Sequence, residues 1–407
     1  TDSYWTRDYG PWWVVDGNKD VSIVDFTYNR PRPNDNQAPS KMANYLDVPY
    51  FASDIVHAGG NYMTDGMGIS ASTDLVYVEN SIPNSQVLQI MEDYYGIETY
   101  HVLDDPNNTY IDHIDCWGKY LSPTKVLIRE VPASHAQYGE IEATATYFGN
   151  STNEWGESWD VYRVWTPNDQ PYTNSLILNE KILVPVIGSS WDDEALTAYE
   201  EAMPGFDILP FTGSWESTDA LHCRVKGIPD LEMLQIFHNP INDSTEAIDN
   251  GYPVEVIIDD LSDAGLIEDS IKVFWKIPGM NEWNSEYLYG SDIPEEPNTW
   301  SGWIPTQEEG TIQYYIQSAD SSGRIENSPL AGWHEFWALP PNTCLEWDLG
   351  DMNNSGNIDV FDILLLADYV NSGYFPGSCP QTVSDINSDG NLNLIDVIAL
   401  VNMIIYP

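Results

Sequence analysis

The sequence predicts a mixed α/β (α+β) chain in three parts: an α/β domain over residues 1–235, a β-sandwich over 236–340 and a small all-α module over 341–407. Three observations carry this division. Up to about residue 235, apolar runs of strand length alternate with stretches of helical period. Beyond it, apolar residues recur at every second position between turn-rich stretches. After residue 341 Lys and Arg vanish, and two similar acidic stretches follow one another.

In the first part, "VSIVDF", "DLVYVEN", "KVLIREV" and "SLILNEKILVPV" have the length and β-branched content of buried or half-buried strands. "NSQVLQIMEDYYG" and "DDEALTAYEEAMPG" read as helices, polar or acidic at the start and closed by glycine. In the second part, "PVEVIID", "IKVFWKI" and "IQYYIQSAD" alternate at period two, with "PGMNEW" and "DSSGR" as turns, which predicts an immunoglobulin-like sandwich. "ALPPNTC" reads as a linker into the third part.

Composition narrows the function classes. With 64 Asp and Glu against 15 Lys and Arg, the formal charge of −49 argues against nucleic acid or an anionic membrane as partner. Hydrophobic content of 42%, with 16 Trp and 25 Tyr, marks a folded chain, and no apolar run has the length of a bilayer span. The chain opens on Thr1, which reads as a fragment or a processed form. Its four cysteines are too few for a disulfide scaffold. Cys344 and Cys379 share the last part, and a bond between them would suit an exported protein.

The last part holds "DMNNSGNIDVFD" and "DINSDGNLNLID", whose first residues lie 34 apart. The first places oxygen side chains Asp351, Asn353, Ser355, Asp359 and Asp362 at positions 1, 3, 5, 9 and 12, with Gly356 at 6 and Asn357 at 7. The second repeats this with Asp385, Asn387, Asp389, Asn393 and Asp396, with Gly390 and Asn391. Such a run of hard oxygen donors around a glycine turn is the pattern of a calcium loop, so two calcium ions are expected. Each loop runs into an apolar helix, "VFDILLLADYV" or "LIDVIALVNMI". The tandem resembles a type I dockerin, which implies a cohesin-bearing scaffold as partner and an extracellular location. At positions 10 and 11 stand bulky apolar pairs, Val360 with Phe361 and Leu394 with Ile395. They imply a divergent cohesin, or docking within the chain.

Chemistry concentrates in short stretches of the first part. "DALHCRVKG" sets Cys223 beside His222, Arg224 and Lys226, in a chain where cations are scarce. Positive charge nearby lowers a thiol's pKa, so the stretch reads as an activated nucleophile, or as an inert core cysteine with bases on the surface. "TYIDHIDCWGK" places His113 and Asp115 two apart, and on a strand both would face one pocket. That pairs an acid/base with a carboxylate; a satisfied core histidine is the alternative. No second His/Cys cluster offers partners for a metal site with Cys116.

In "DSYWTRDYGPWW", Asp8 stands between Trp5 and Trp12, a setting that suits a flat cation, or a surface Asp opening a turn. "YNRPRP" would place Arg30 and Arg32 on one face of an extended segment, where two guanidinium forks can hold a carboxylate. "HAGGNYMTDG" brings Gly59, Gly60 and Asn61, a turn that admits close backbone approach. "YTNSLILN" sets Asn174 at the head of a strand.

Together, "WTRDYGPWW", "GGNYMTDG", "HIDCWGK" and "ALHC" resemble the guanidine-modifying superfamily, and within it bacterial peptidylarginine deiminase of the Porphyromonas type, over residues 1 to about 235. The resemblance implies a pentein-type propeller of repeated α/β modules. It is expected to be N-terminally incomplete, because in the family a further module precedes the first motif. An immunoglobulin-like domain also follows in that enzyme. By resemblance, Cys223 is the nucleophile, His113 the acid/base, and Asp8 and Asp115 the ligands of the guanidinium. Arg30 and Arg32 would clamp the carboxylate of a C-terminal arginine. Trp5, Tyr110 and Asn61 would line the substrate site, Asn174 would assist near the thiol, and catalysis would need no cofactor. The alternatives are a small-guanidine substrate such as agmatine, which has no carboxylate to clamp, and a non-catalytic dockerin-bearing scaffold component.

Overall fold

Residues 12–212 repeat one unit four times: an antiparallel strand pair, a helical crossover, and a third strand parallel to the second. This is seen in a computed structural model that describes residues 1–241, 244–248, 251–291, 293, 298–339, 347–373, 380–381 and 383–405. The first unit comprises β1 (Trp12–Val15), β2 (Val21–Tyr28), α1 (Ala38–Leu46) and β3 (Tyr50–His57). The second comprises β4 (Met63–Thr64), β5 (Ile69–Thr73), α2 (Leu75–Val78), α3 (Asn84–Tyr95) and β6 (Thr99–Leu103). The third runs through β7 (Gly118–Tyr120), β8 (Lys125–Glu130), α4 (Tyr138–Gly149) and β9 (Asp160–Trp165). The fourth runs through β10 (Leu176–Leu178), β11 (Lys181–Val186), α5 (Asp192–Ala202) and β12 (Asp207–Thr212).

Each helix covers one face of its sheet for reasons visible in its residues. On α3, Val87, Met91 and Tyr95 recur at a spacing of four and are buried among Val24, Phe26 and Ile55. Gly96 then ends the helix at φ 65°, and its N–H bonds back to Met91 and Glu92 carbonyls. On α5, Asp192, Asp193 and Glu194 occupy the first turn, where the helix dipole favours negative charge. Ala195, Tyr199 and Ala202 turn inward against Ile182 and Val184 of β11.

One expected strand is a helix. "DLVYVEN" begins with Asp74, whose carbonyl accepts from Tyr77 and Val78, and the short helix α2 follows. The strand lies just before it, in Ile69–Thr73, where all five residues are buried despite three hydroxyl side chains. Those hydroxyls are paired: Ser70 donates to the Met63 carbonyl, Thr73 to the Asp112 carbonyl, and Ser72 bonds Tyr100. A strand buried by hydrogen-bonded hydroxyls lacks the apolar signature that reveals others.

The chain divides into two compact units. One holds residues 1–239, 258–267 and 318–333, and the other holds 240–257, 268–317 and 334–407. In the second unit, Tyr252–Ile257 pairs antiparallel with Thr299–Ile304, which pairs with Tyr289–Gly290. A further sheet orders Ser244–Glu246, His334–Leu339, Gly310–Ala319, Lys272–Lys276 and Asn284–Tyr287. Burial alternates residue by residue along Tyr252–Ile258, as the period-two pattern requires.

The terminal stretch forms two loops, each feeding a helix, α6 (Val360–Ser372) and α7 (Leu394–Ile405). Asp359 and Asp362 form a capping box at the start of α6. Leu366, Tyr369, Val397 and Leu400 pack with Met352 and Val383 as a small core. The linker expected around residues 340–344 and the expected Cys344–Cys379 bond lie outside the described residues. Among the described residues, no helix is long and apolar enough to cross a membrane.

Candidate active site

Five short segments supply the site, and each sits at a junction of the repeat. Asp8 precedes β1, Gly59–Asn61 joins β3 to β4, and His113–Cys116 joins β6 to β7. Thr173 and Asn174 join β9 to β10, and His222–Arg224 follows β12. The segments at Gly59, Ile114 and His222 are single 3₁₀ turns, which leave N–H groups free for partners outside the turn.

Hydrogen bonds close these segments into a ring. Asp8 accepts the Gly59 N–H on its carbonyl at 2.9 Å and the Gly60 N–H on Oδ1 at 3.1 Å. Asn61 Oδ1 accepts the Ile114 N–H at 3.3 Å. The Asp115 carbonyl accepts from Thr173 Oγ1 at 3.2 Å and from Asn174 Nδ2 at 3.4 Å. Asn174 accepts the Cys223 N–H on Oδ1 at 3.3 Å and the His222 N–H on its carbonyl at 3.0 Å. The Cys223 carbonyl accepts the Arg7 N–H at 3.2 Å, which returns the ring to Asp8.

Gly60 marks the centre. A Cβ at that position would lie 2.5 Å from His113 Nδ1, 2.9 Å from Asp8 Oδ1 and 3.2 Å from Asp115 Oδ2. Two carboxylates and an imidazole therefore converge on space that only glycine leaves open. The Cys223 Sγ lies 3.5 Å from the same Asp115 Oδ2, and His222 Nδ1 bonds that oxygen at 2.8 Å. His113 Nδ1 is 3.9 Å from Asp8 Oδ1, and its buried Nε2 has no partner among the described residues.

Burial sets the resting charges. Burial, then the neighbouring Asp115, pushes the Asp8 carboxyl up to about 7. Asp115 is raised by burial against the pull of Lys119. Burial, then Arg30, drives His113 down to about 3, and burial with Arg7 lowers His222. Burial and the charge of Asp115 hold the Cys223 thiol well above its ordinary value. The resting site thus presents a protonated thiol and neutral imidazoles around two carboxyl groups, which suits an incoming cation.

The structure corrects several expectations. Arg224 and Lys226 do not crowd the thiol but take partners of their own. Arg224 pairs with Asp219 at 2.7 Å, and Lys226 Nζ lies 3.1 Å from the centroid of the Trp12 ring. Asp115 and Cys223 also feel the positive charges of Arg7 and Lys119, both held down by burial, Arg7 to about 10. His113 and Asp115 share a pocket as expected, but across a 3₁₀ turn rather than along a strand. Trp12 belongs to the core behind Gly59, and Asp8 is met by Gly60, Tyr28 and His113. Asn61 is wholly buried and its Oδ1 braces the Thr73 and Ile114 backbone, a support for the His113 segment, while its buried Nδ2 has no partner among the described residues.

The two arginines also part company. Residues 30–32 form a tight bend, with Arg32 N–H bonding the Arg30 carbonyl at 2.7 Å, so the segment is not extended. Arg30 leans toward Glu79 at 3.8 Å. Arg32 lies over Trp5, with its Cζ 4.5 Å from the ring centroid, and donates to Tyr28 Oη at 2.8 Å. Tyr28 in turn donates to Asp8 Oδ2 at 3.4 Å. Tyr110 is largely exposed, with its hydroxyl 3.4 Å from Thr218 Oγ1.

Residues 1–229 match the family model described as Porphyromonas-type peptidyl-arginine deiminase, more than half of the chain. The chain belongs to that family. Residues 349–405 of this deiminase match the type I dockerin domain. A Legionella pneumophila protein named as an agmatine deiminase is 24% identical over 258 residues, 56% of this chain and 73% of its own. A Yersinia pseudotuberculosis protein of the same name is 22% identical over 274 residues, 56% of this chain and 75% of its own. The fold of the deiminase domain is shared with a crystal structure described as an arginine deiminase from Porphyromonas gingivalis. That match has a TM-score of 0.50 at 19% identity, over 55% of this chain and 74% of the other. The pentein-like fold is thereby shown, and the activity class is that of a deiminase, a hydrolase of amidine C–N bonds.

The dockerin loops are alike in detail. Asp351 accepts the N–H groups of Ser355 and Gly356, and Asp385 accepts those of Asp389 and Gly390. Asp362 and Asp396 are fully buried, and each accepts two backbone N–H groups of its own loop. Among the described residues, no three His, Cys, Asp or Glu side chains gather as a metal site. The oxygens here come in part from Asn, Ser and backbone, a donor set that fits a hard cation such as calcium.

Proposed function

We propose that this deiminase converts arginine at the free C-terminus of peptides or proteins to citrulline and ammonia. The observation that carries this reading is Arg32. Its guanidinium is in no ion pair among the described residues, and only the Tyr28 hydroxyl separates it from Asp8. A substrate with its guanidinium at Asp8 and Asp115 would find a cation placed for its own carboxylate. Agmatine has none to offer. The agmatine reading is favoured by one finding, the name carried by the relatives above.

The chemistry follows from the geometry. The substrate guanidinium lies between the carboxylates of Asp8 and Asp115 and replaces the contact of the thiol with Asp115. Its positive charge lowers the thiol pKa, and the thiol proton passes to His113. The thiolate of Cys223, held by Asn174, forms a bond to the central guanidinium carbon. His113 returns the proton to one nitrogen, which leaves as ammonia and yields a thiouronium on Cys223. Water, deprotonated by His113, then adds to that carbon, and the C–S bond breaks to release citrulline. Arg32, with Arg30 beside it, holds the substrate carboxylate, and Trp5 and Tyr110 flank the mouth.

The rest of the chain serves delivery in this reading. The strands over 244–339 form an immunoglobulin-like sandwich. The dockerin holds calcium through Asp351, Asn353, Ser355, Asn357, Asp359 and Asp362 in one loop and Asp385, Asn387, Asp389, Asn391, Asn393 and Asp396 in the other. Exposed Val360, Phe361, Leu394 and Ile395 meet a cohesin-bearing scaffold outside the cell.

A citrulline assay on the full chain tests the substrate. It compares a peptide ending in arginine, the same peptide amidated, and agmatine. Turnover mainly of the free-carboxyl peptide is expected. Turnover of agmatine alone would overturn the reading.

A further inference from the structure

The chain contains seven arginines, and five of them pair with a carboxylate. Among the described residues Arg7 and Arg32 do not, and Arg32 is held by the Tyr28 hydroxyl and by a stack of rings. Its guanidinium lies over Trp5, and the Trp5 ring centroid is 4.6 Å from that of Tyr4. Tyr4 also carries the guanidinium of Arg224, whose Cζ is 5.0 Å from its centroid. Arg224 is fixed from behind: Nε and Nη2 bond the two oxygens of Asp219 at 3.0 and 2.7 Å. Its Cζ is also 5.0 Å from the Trp215 ring centroid, and Trp215 Nε1 donates to the Phe211 carbonyl at 2.8 Å.

A continuous series of cation–π and ring contacts therefore runs from the residue beside the nucleophile to Arg32. Such contacts depend on a flat cation lying on a ring face, so each member fixes the next. Tyr4 is 56% exposed, and its stacking partners among the described residues are Trp5 and Arg224. Arg224 has its charge met by Asp219, which frees its face for Tyr4.

We propose that Arg224 is a positioning residue for substrate-carboxylate recognition: through Tyr4 and Trp5 it holds Arg32 in the pose that meets the carboxylate. The inference rests on the reading of Arg32 given above. It assigns the arginine next to Cys223 to specificity and not to the thiol. A pre-set fork loses less freedom on binding, so the stack lowers KM for substrates with a free carboxylate and leaves the chemical step alone.

The test is steady-state kinetics of the full chain, wild type, Arg224→Gln and Tyr4→Ala, on the free-carboxyl peptide and its amide. In wild type the free peptide is expected to be preferred in kcat/KM. In both variants that preference should fall at least tenfold, through KM for the free peptide, with kcat on the amide unchanged. Arg224→Lys keeps the charge without the flat fork and should not restore it. A preference unchanged in both variants overturns the proposal. So does an equal fall of kcat on both peptides with Arg224→Gln, which would place Arg224 at the thiol. A wild type with no preference for the free peptide would overturn the carboxylate reading itself, and the proposal with it.

Discussion

Asn174 holds Cys223 from both ends: its Oδ1 accepts the cysteine N–H at 3.3 Å while its Nδ2 donates to Sγ at 3.3 Å. One amide thus fixes the backbone and the sulfur of the same residue, and it stabilises the sulfur more as a thiolate than as a thiol. Asn174→Ala should lower kcat about 100-fold with little change in KM, because the reacting atom loses its placement. Leaving the Cys223 N–H unpaired should also cost ~1–3 kcal/mol of stability. Kinetics and thermal unfolding of the same preparation check both.

Gly60 keeps the centre of the ring open. In Gly60→Ala the new methyl would sit 2.5 Å from His113 Nδ1, in the space assigned to the substrate. Activity should fall at least 100-fold while the folded state persists, since the backbone at Gly60 is not in the left-handed region. Activity near wild type would show that the guanidinium binds elsewhere.

Asp8 gives a stability signature that varies with pH. Its folded value of about 7 lies above the 3.8 of an ordinary Asp. Between those values the unfolded chain ionises first, so this group's stabilising contribution, complete below the lower value, is lost as pH rises through the upper one. Asp8→Asn removes the dependence. The variant should be inactive, match wild-type stability near pH 3.5, and exceed it at pH 8 by ~2–4 kcal/mol. Thermal melts across that range measure it. Wild type more stable than the variant at pH 8 would contradict the assigned environment.

The proposed reading assigns calcium to the dockerin and none to the chemistry. Chelation should expose residues 347–405 to protease cleavage, because an oxygen cage without its cation repels itself. Citrulline formation should continue unchanged. A parallel loss of activity would mean that a cation also serves the deiminase domain.

Much of this was legible in the sequence, and the failures have physical reasons. His113, Asp115, Asp8 and Cys223 stood out as reactive types in short motifs, and the structure brings them together. The cations were misjudged because Cys223 sits in a 3₁₀ turn, where successive side chains point about 120° apart. Arg224 therefore leaves the thiol it follows. Arg7 reaches both groups, and Lys119 reaches Cys223, from more than 100 residues away in the chain, which no local pattern reveals. The Ile69–Thr73 strand was hidden by its hydroxyls, and the bend at Arg30 by a proline that suggested extension. The dockerin was readable from its two terminal loops, since their oxygen side chains are local and repeat in register.

Everything proposed for the chemistry depends on the junction ring presenting Cys223 to a guanidinium carbon. The most direct measurement is citrulline release by full-length wild type and Cys223→Ala on a peptide ending in arginine, with Tm followed in parallel. Turnover by wild type and none by the variant, at near-equal Tm, is the expected result. Citrulline released by Cys223→Ala at the wild-type rate would contradict it.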